Sequence, residues 1–356
     1  MIKKYLNRLF IDGLSGMAYG LFSTLIIGTI IGQLGVLIGS IPGSFAASVA
    51  KYLAVIAFAA KKITGAGIGV GVAVKLKASP LTTASAAVAG IAGAFPVIED
   101  LLAANKFGEP LGAFIAAYVA IEIGSLVSGK TKLEIILTPL CCILTGCLVG
   151  LLIGPYISAA MKFIGELVNI NVEKSPILGG MAVSVIMGIL LTLPISSAAI
   201  GISMGISGLA AGAATIGCCC NMVGFAVISY RENKLGGLVA QGVGTSMLQM
   251  PNIVKKPIIW LPSILASAVL GPLSSAALKM TSNPIGSGMG SAGFVGQMQC
   301  YTTMVADGIS PAVTVIEIIV MHFILPAALC FGLAEGMRKL GLIKNGDMKL
   351  KDISHA

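Results

Sequence analysis

Uncharged hydrogen-bonding side chains are concentrated in one apolar stretch, "GGLVAQGVGTSMLQMPNIVKKP", which runs from Gly236 to Pro257. Gln241, Thr245, Ser246, Gln249 and Asn252 crowd amides and hydroxyls between glycines and a proline. Such groups donate and accept hydrogen bonds without the desolvation cost of a full charge, which is what binding of a small polar, uncharged solute requires. A second string, "NPIGSGMGSAGFVGQMQ" from Asn283 to Gln299, offers exposed backbone at its glycines and one candidate side chain, Gln297. Its spacing matches neither a dinucleotide fingerprint nor a phosphate loop. In the first half, "ITGAGIGVGVAVKLKASP" from Ile63 to Pro80 has almost no side-chain polarity, so only its backbone, at Gly65 and Gly67, is a candidate contact. Among ionisable groups inside apolar runs, Glu122 is the foremost functional candidate, followed by Glu317 and His322 in the last span. Ionisable groups at membrane depth are costly and point to function by default. Glu134 and Glu317 also suit interfacial positions near helix ends, and Lys51 suits a side chain reaching for the cytoplasmic face.

The elements that must position these residues follow from composition. The 356 residues are 56% hydrophobic and 10% charged, and soluble domains carry about 25% charged residues. The mean hydropathy is +0.98. These values exclude a soluble enzyme, a secreted domain and a nucleic-acid-binding protein, and they imply an all-α integral membrane protein. The eight cysteines lie in apolar runs without a histidine at metal-ligand spacing, and they read as small apolar residues. With no metal cluster, nucleophile elbow or paired deep carboxylates, no catalytic residue, metal or cofactor is expected.

Apolar runs divided at glycine, proline and charge predict about ten transmembrane helices, at 14–39, 45–60, 81–98, 111–128, 135–158, 177–203, 205–230, 257–278, 288–304 and 311–336. Residues 63–74 and 235–250 are too short to cross, have basic residues at both ends and read as re-entrant segments. Weak internal matches, "GMAYGLFSTLIIGT" with "GMAVSVIMGILLTL" and "GAGIGVGVAVKLKASP" with "GVGTSMLQMPNIVKKP", suggest two five-helix repeats. These would comprise residues 1–165 and 175–340, followed by a cytoplasmic tail at 341–356. Five spans per repeat imply inverted orientation. Fifteen Lys and Arg then fall on one side and seven on the other, which places both termini in the cytoplasm. Inverted repeats with interrupted helices are a recurring secondary-transporter design, with the solute near the bilayer midplane.

The strings "GEPLGAFIAAYVAIEIGSLVSGKTKLEIILTP" and "GLVAQGVGTSMLQMPNIVKKP" resemble the membrane permease, or IIC component, of the bacterial sugar phosphotransferase system. The resemblance is closest to the stand-alone branch that includes perfringolysin-regulator-like membrane proteins, and it extends from "RLFIDGLSGMAYGLFSTLIIGTIIGQLG" to the last helix. It implies a homodimeric permease in the bacterial plasma membrane, surrounded by membrane lipid. Such a permease binds a sugar and presents it to a phosphorylated IIB partner that draws phosphate from phosphoenolpyruvate. No IIA or IIB domain is fused here, so the IIB partner is expected on another chain, and the protein is at most the membrane subunit of that complex. The Gly-Ile-Thr-Glu-Pro signature of many glucose-type permeases is absent, with "GEPLG" at Gly108 to Gly112 the nearest string. The alternative function is a membrane sensor that binds a solute without net transport.

Overall fold

The computed structural model describes residues 8–95, 99, 102, 109–130, 132–193 and 196–350. These are mainly helical, with no strand among them; the single bridge joins Gly208 to Ser282. Seven helices are long and apolar enough to cross a membrane among the described residues, and three shorter apolar helices accompany them. The chain forms two compact units, Met1–Lys162 and Phe163–Ala356.

In the first unit a π-helical turn, Arg8–Gly13, leads into α1 (Leu14–Gly39). α1 pairs antiparallel with α2 (Ser44–Lys62) and then with α3 (Thr64–Lys75). Gly39 and Gly35 face Ala50 and Leu53, Gly28 faces Ala57, Gly20 faces Gly67, and Gly16 faces Gly71 and Val72. This register is continuous, so the chain keeps its direction through the break at Ile63 (φ −85°, ψ 13°). Residues 63–74 therefore do not turn back as a re-entrant segment; they extend the line of α2 as a half-buried helix. Glycine allows this because a Cβ at Gly20 would overlap the Gly67 carbonyl, and backbones approach closely where small residues meet.

α4 (Pro80–Ala94) and α5 (Pro110–Val127) complete that bundle. Proline at the first turn starts both, and the preceding residue caps them: Ser79 Oγ accepts from Thr82 N at 3.3 Å, and the Glu109 carboxylate accepts from the amides of Leu111 and Gly112. Glu109, in the "GEPLG" string, is thus occupied as a helix cap. α6 (Glu134–Lys174) is one helix of 41 residues, where a span ending at 158 was expected. At 1.5 Å per residue it is about 60 Å long, roughly twice the hydrocarbon thickness, so only part of it lies in a bilayer.

The second unit is built around α9 (Gly208–Ile228), whose surface is almost wholly buried. Its run of Gly, Ala and Cys lets four neighbours lie against its backbone. α7 (Pro176–Thr192) runs parallel to it, with Ser184 against Gly217 and Gly188 against Asn221. α12 (Pro257–Leu278) runs antiparallel, with Ser267 near Gly217 and Ser263 near Gly224. α14 (Pro311–Lys339) runs parallel, from Cys330 beside Gly224 to Arg338, which donates to the Ile228 carbonyl at 2.6 Å. The fourth neighbour is irregular backbone at 280–294, discussed below.

Two parallel helices in succession require a return stroke. The short helix α8 (Ser197–Met204) supplies it, started by Ser196 capping Ala199 N and ended by Gly205 in the left-handed region at φ +65°. The expected pair of long spans dividing near Ser203 is therefore replaced by three pieces. This extra reversal changes which charges share a face. Arg231 pairs with Glu335 at 3.1 Å and Lys256 with Asp347 at 2.5 Å, so the basic residues around 231–256 lie at the same end of the unit as those of residues 338–349, not opposite them. Lys279 moves the other way: Ser275 bonds the Pro176 carbonyl at 2.6 Å, which puts Lys279 at the end that holds Lys174. The paired stretches from Gly65 and Gly242 also differ in conformation, the first a regular helix and the second broken, so the proposed repeat does not extend to matching local structure there.

Candidate functional site

Three interrupted stretches of the second unit meet on α9. The first is 196–207, around α8. The second follows α10 (Tyr230–Val239) as a π-turn at Ala240–Gly244, an extended Thr245 and a 3₁₀ turn at Ser246–Gln249, before α11 (Met250–Lys255). The third is 280–294, which leads into α13 (Val295–Ala306). Ser197 Oγ donates to Gly288 O at 2.6 Å, Thr215 Oγ1 to Gly286 O at 3.2 Å, and Ser291 Oγ to Gly242 O at 2.6 Å. The last bond joins the two strings singled out from the sequence. Gly290 packs its backbone against Cys218 and Cys219, at the middle of α9. Non-helical backbone at membrane depth is tolerated only where it is buried in protein or lines a cavity, and the carbonyls of Gly242, Gly286 and Gly288 here have each found a side-chain donor.

Side-chain polarity gathers around this junction in two tiers. At the level of Cys219, Gln297 Nε2 lies 3.4 Å from Cys219 Sγ and 3.2 Å from His322 Nδ1. Gln297 Oε1 and His322 Nε2 are buried with no partner. Two residues along α9, and so on nearly the opposite face of that helix, Asn221 Oδ1 accepts from Trp260 Nε1 at 2.7 Å and from Thr192 Oγ1 at 3.3 Å, and Thr192 Oγ1 lies 2.8 Å from Ser246 Oγ. Asn221, Thr192, Trp260 and Ser291 were not among the residues expected from the sequence. The available signal for Asn221 was its isolation as the only amide in a 21-residue apolar helix.

The remaining expected residues divide. Gln241, Gln249 and Asn252 form an amide chain: Gln249 Nε2 donates to Gln241 Oε1 at 2.8 Å, and Asn252 Nδ2 donates to Gln249 Oε1 at 2.9 Å. That chain is engaged by the C-terminal segment, not by open space. Gln249 Nε2 donates to Met348 O at 3.0 Å and Asn252 Nδ2 to Lys349 O at 3.1 Å. Asn233 holds Met348 O and Leu350 N, both at 2.8 Å, and the Glu232 carboxylate accepts from Met348 N at 2.8 Å. Ile343 and Met348 are buried in the hydrophobic core, so residues 341–350 form a strap that belongs to the second unit and not a separate tail. Thr245 accepts from Met247 N at 3.2 Å and serves the turn.

Gly65 and Gly67 belong to the first unit, where they face Gly90 and Thr24 across tight helix contacts. Glu122 also lies there and accepts from Arg8 Nε at 2.6 Å, with both side chains about one-third exposed. Glu122→Gln is therefore expected to cost about 1 kcal/mol of stability, within the range of partly exposed pairs. A lowered thermal midpoint with unchanged solute uptake would follow, and reduced uptake at unchanged stability would contradict it. Glu134 accepts from Ser128 Oγ at 2.7 Å at the start of α6, an interfacial role, and Lys51 is exposed.

The strap's ionic latch responds to acid. Burial alone would raise the Asp347 carboxyl, but hydrogen bonds from Lys256 and the Lys344 amide, with the charge of both lysines, bring it below the ordinary 3.8. A depressed folded-state value means that the latch contributes fully above about pH 4 and is lost as pH falls through that lower value. A fluorophore on Asn345→Cys is expected to keep constant anisotropy from pH 8 to 5 and to gain mobility only in stronger acid. Asp347→Asn is expected to show that mobility at pH 7.

The apolar helices describe a membrane protein with a polar junction inside it, and comparison with known families says of what kind. The family described as "Phosphotransferase system, EIIC" matches residues 11–350. The chain belongs to this EIIC family. EIIC proteins are the membrane permease components of sugar phosphotransferase systems and work with EIIA and EIIB partners. Comparison with curated proteins gives no match. The protein is thus a multi-pass membrane permease component, and the sensor alternative is not favoured.

Proposed function

We propose that this EIIC protein binds its sugar within the second unit, where 196–207, 240–250 and 280–294 meet the middle of α9. Gln297 and His322 contact the sugar hydroxyls. Thr192, Asn221 and Ser246 form a second polar cluster across α9, where Trp260 holds Asn221 and Thr192 anchors the 240–250 stretch through Ser246. The observation that carries this reading is a pair of orphaned atoms, Gln297 Oε1 and His322 Nε2, on two buried side chains that meet through Gln297 Nε2 and His322 Nδ1 at 3.2 Å. Buried polar atoms are almost always satisfied, so an unpartnered acceptor and an unpartnered imidazole nitrogen on touching side chains call for a hydroxyl-bearing ligand. Neither group carries a fixed charge, which suits a neutral sugar.

Gln241, Gln249 and Asn252 then form the cytoplasmic approach, beneath the strap. Orientation is supported by charge: Arg231, Lys234, Lys255, Lys256, Arg338, Lys339, Lys344 and Lys349 share one end of the unit, against Lys174 and Lys279 at the other. An excess of Lys and Arg marks the cytoplasmic side, so in a bacterial plasma membrane the C-terminus and the amide chain face the cytoplasm. A phosphorylated EIIB chain would meet the sugar from that side. The test is uptake of a panel of labelled hexoses and hexitols into proteoliposomes carrying EIIA, EIIB and phosphoenolpyruvate inside. Accumulation of a phosphorylated sugar is the expected result; binding without accumulation for every sugar would return the protein to a sensor role.

A further inference from the structure

The first unit holds a groove of about 1010 Å³ between α3 and the helical line of residues 8–26, unused by the solute site proposed above. Its walls are antiparallel, with Gly16 against Gly71 and Gly20 against Gly67, so Arg8 and Asp12 lie level with Lys75 and Lys77 at one end, while Ser23 lies level with Ile63 at the other. Among the lining residues charge is confined to the first end. Lys75 Nζ sits 5.8 Å from the centroid of the Tyr19 ring, and neither Lys75 nor Lys77 forms an ion pair with a carboxylate among the described residues. Arg8 donates to Glu122 through Nε.

Along the rest of its length the groove is lined by Val74, Val70, Ala66 and Ile63 over a floor of glycine backbone. This wall faces outward: Val74 is 65% exposed and Ile63 51%. In a membrane protein an apolar wall open along its side meets hydrocarbon, which argues against a water-soluble occupant. From Lys75 to Ile63 the helix rises about 18 Å at 1.5 Å per residue, close to the roughly 15 Å depth of one hydrocarbon leaflet. A cationic end with an apolar trough one leaflet deep matches a phosphate headgroup carrying an acyl chain. Basic pockets between transmembrane helices take anionic headgroups in this way.

We propose that the groove binds one anionic phospholipid, with its phosphate held by Lys75, Lys77 and Arg8 and an acyl chain lying over Val70, Ala66 and Ile63. Native mass spectrometry of the full chain in detergent, titrated with phosphatidylglycerol or phosphatidylcholine, tests it. The expected result is preferential retention of phosphatidylglycerol, weakened about 10- to 30-fold in Lys75→Gln/Lys77→Gln, since each basic residue near anionic lipid is worth about 1 kcal/mol. Lys75→Arg/Lys77→Arg, which keeps the charge, should bind like the original chain. Val70→Trp, which fills the trough and leaves the cations in place, should also weaken binding. Equal retention of the two lipids would overturn the proposal. So would unchanged phosphatidylglycerol binding in the monodisperse Gln or Trp variant, or displacement of the lipid by millimolar inorganic phosphate, which would mark a site for free anions instead.

Discussion

Gln297→Leu is expected to weaken sugar binding by about 10- to 100-fold while leaving the yield of monodisperse protein close to that of the original chain. Loss of a hydrogen bond to a buried ligand group costs about 1 to 3 kcal/mol, or roughly 5- to 150-fold in affinity. The protein itself loses little. Gln297 makes only long contacts, 3.4 Å to Cys219 Sγ and 3.2 Å to His322 Nδ1, and its Oε1 is already unpartnered. Leucine fills similar space and removes an unsatisfied acceptor. His322→Phe should act in the same direction. Because the two side chains touch, their effects should fall short of additivity in the double variant. A folded Gln297→Leu protein that binds sugar normally would place the site elsewhere, and a fall in yield alone would make Gln297 a packing residue.

The second large effect is on folding. Gly217→Leu should abolish recovery of monodisperse protein, because a Cβ at this position overlaps the Ser184 carbonyl of α7, and Ser267 of α12 bonds the Gly217 carbonyl at 3.4 Å. Overpacking a tight core costs about 1 to 3 kcal/mol even where side chains can yield, and backbone on two sides yields less. Gly336→Ala in α14 meets no atom within 4 Å and should be recovered normally, which separates a contact effect from a general dislike of glycine replacement. The readout is fluorescence-detected size exclusion. Equal recovery of the two variants would mean that α7 and α9 do not lie against each other as described.

Membrane class and most helices were legible because hydrocarbon imposes a simple rule, long apolar runs with their backbone bonds satisfied internally. The polar strings around Gln241 and Gln297 were legible as departures from that rule. What they do could not be read from spacing. The strap that engages Gln249 and Asn252 lies about a hundred residues further along the chain, and only tertiary structure brings Met348 to them. The reversal through α8 was missed because 177–230 has no charge to mark a boundary; Pro194 in "LTLPISSA" was the signal, since the residue before a proline is pushed away from helical geometry. One missed reversal inverted the sidedness of everything between Arg231 and Lys256. The re-entrant reading of 63–74 failed for a different reason. Paired lysines at 61 and 62 suggested an interface, yet α2 and α3 continue in one register along α1. Glu122 was conspicuous by its depth, but its partner Arg8 is more than a hundred residues away in sequence.

The central claim, that the sugar lies on the broken segments around α9, is tested most directly by photocrosslinking. A diazirine derivative of whichever sugar is accumulated in the uptake panel would be bound to the full chain, irradiated and mapped by mass spectrometry. The account predicts labelled peptides within 240–250 and 283–299 and around His322, suppressed by excess unlabelled sugar. Competable labelling confined to the first unit, at 63–77 or around Glu122, would contradict it.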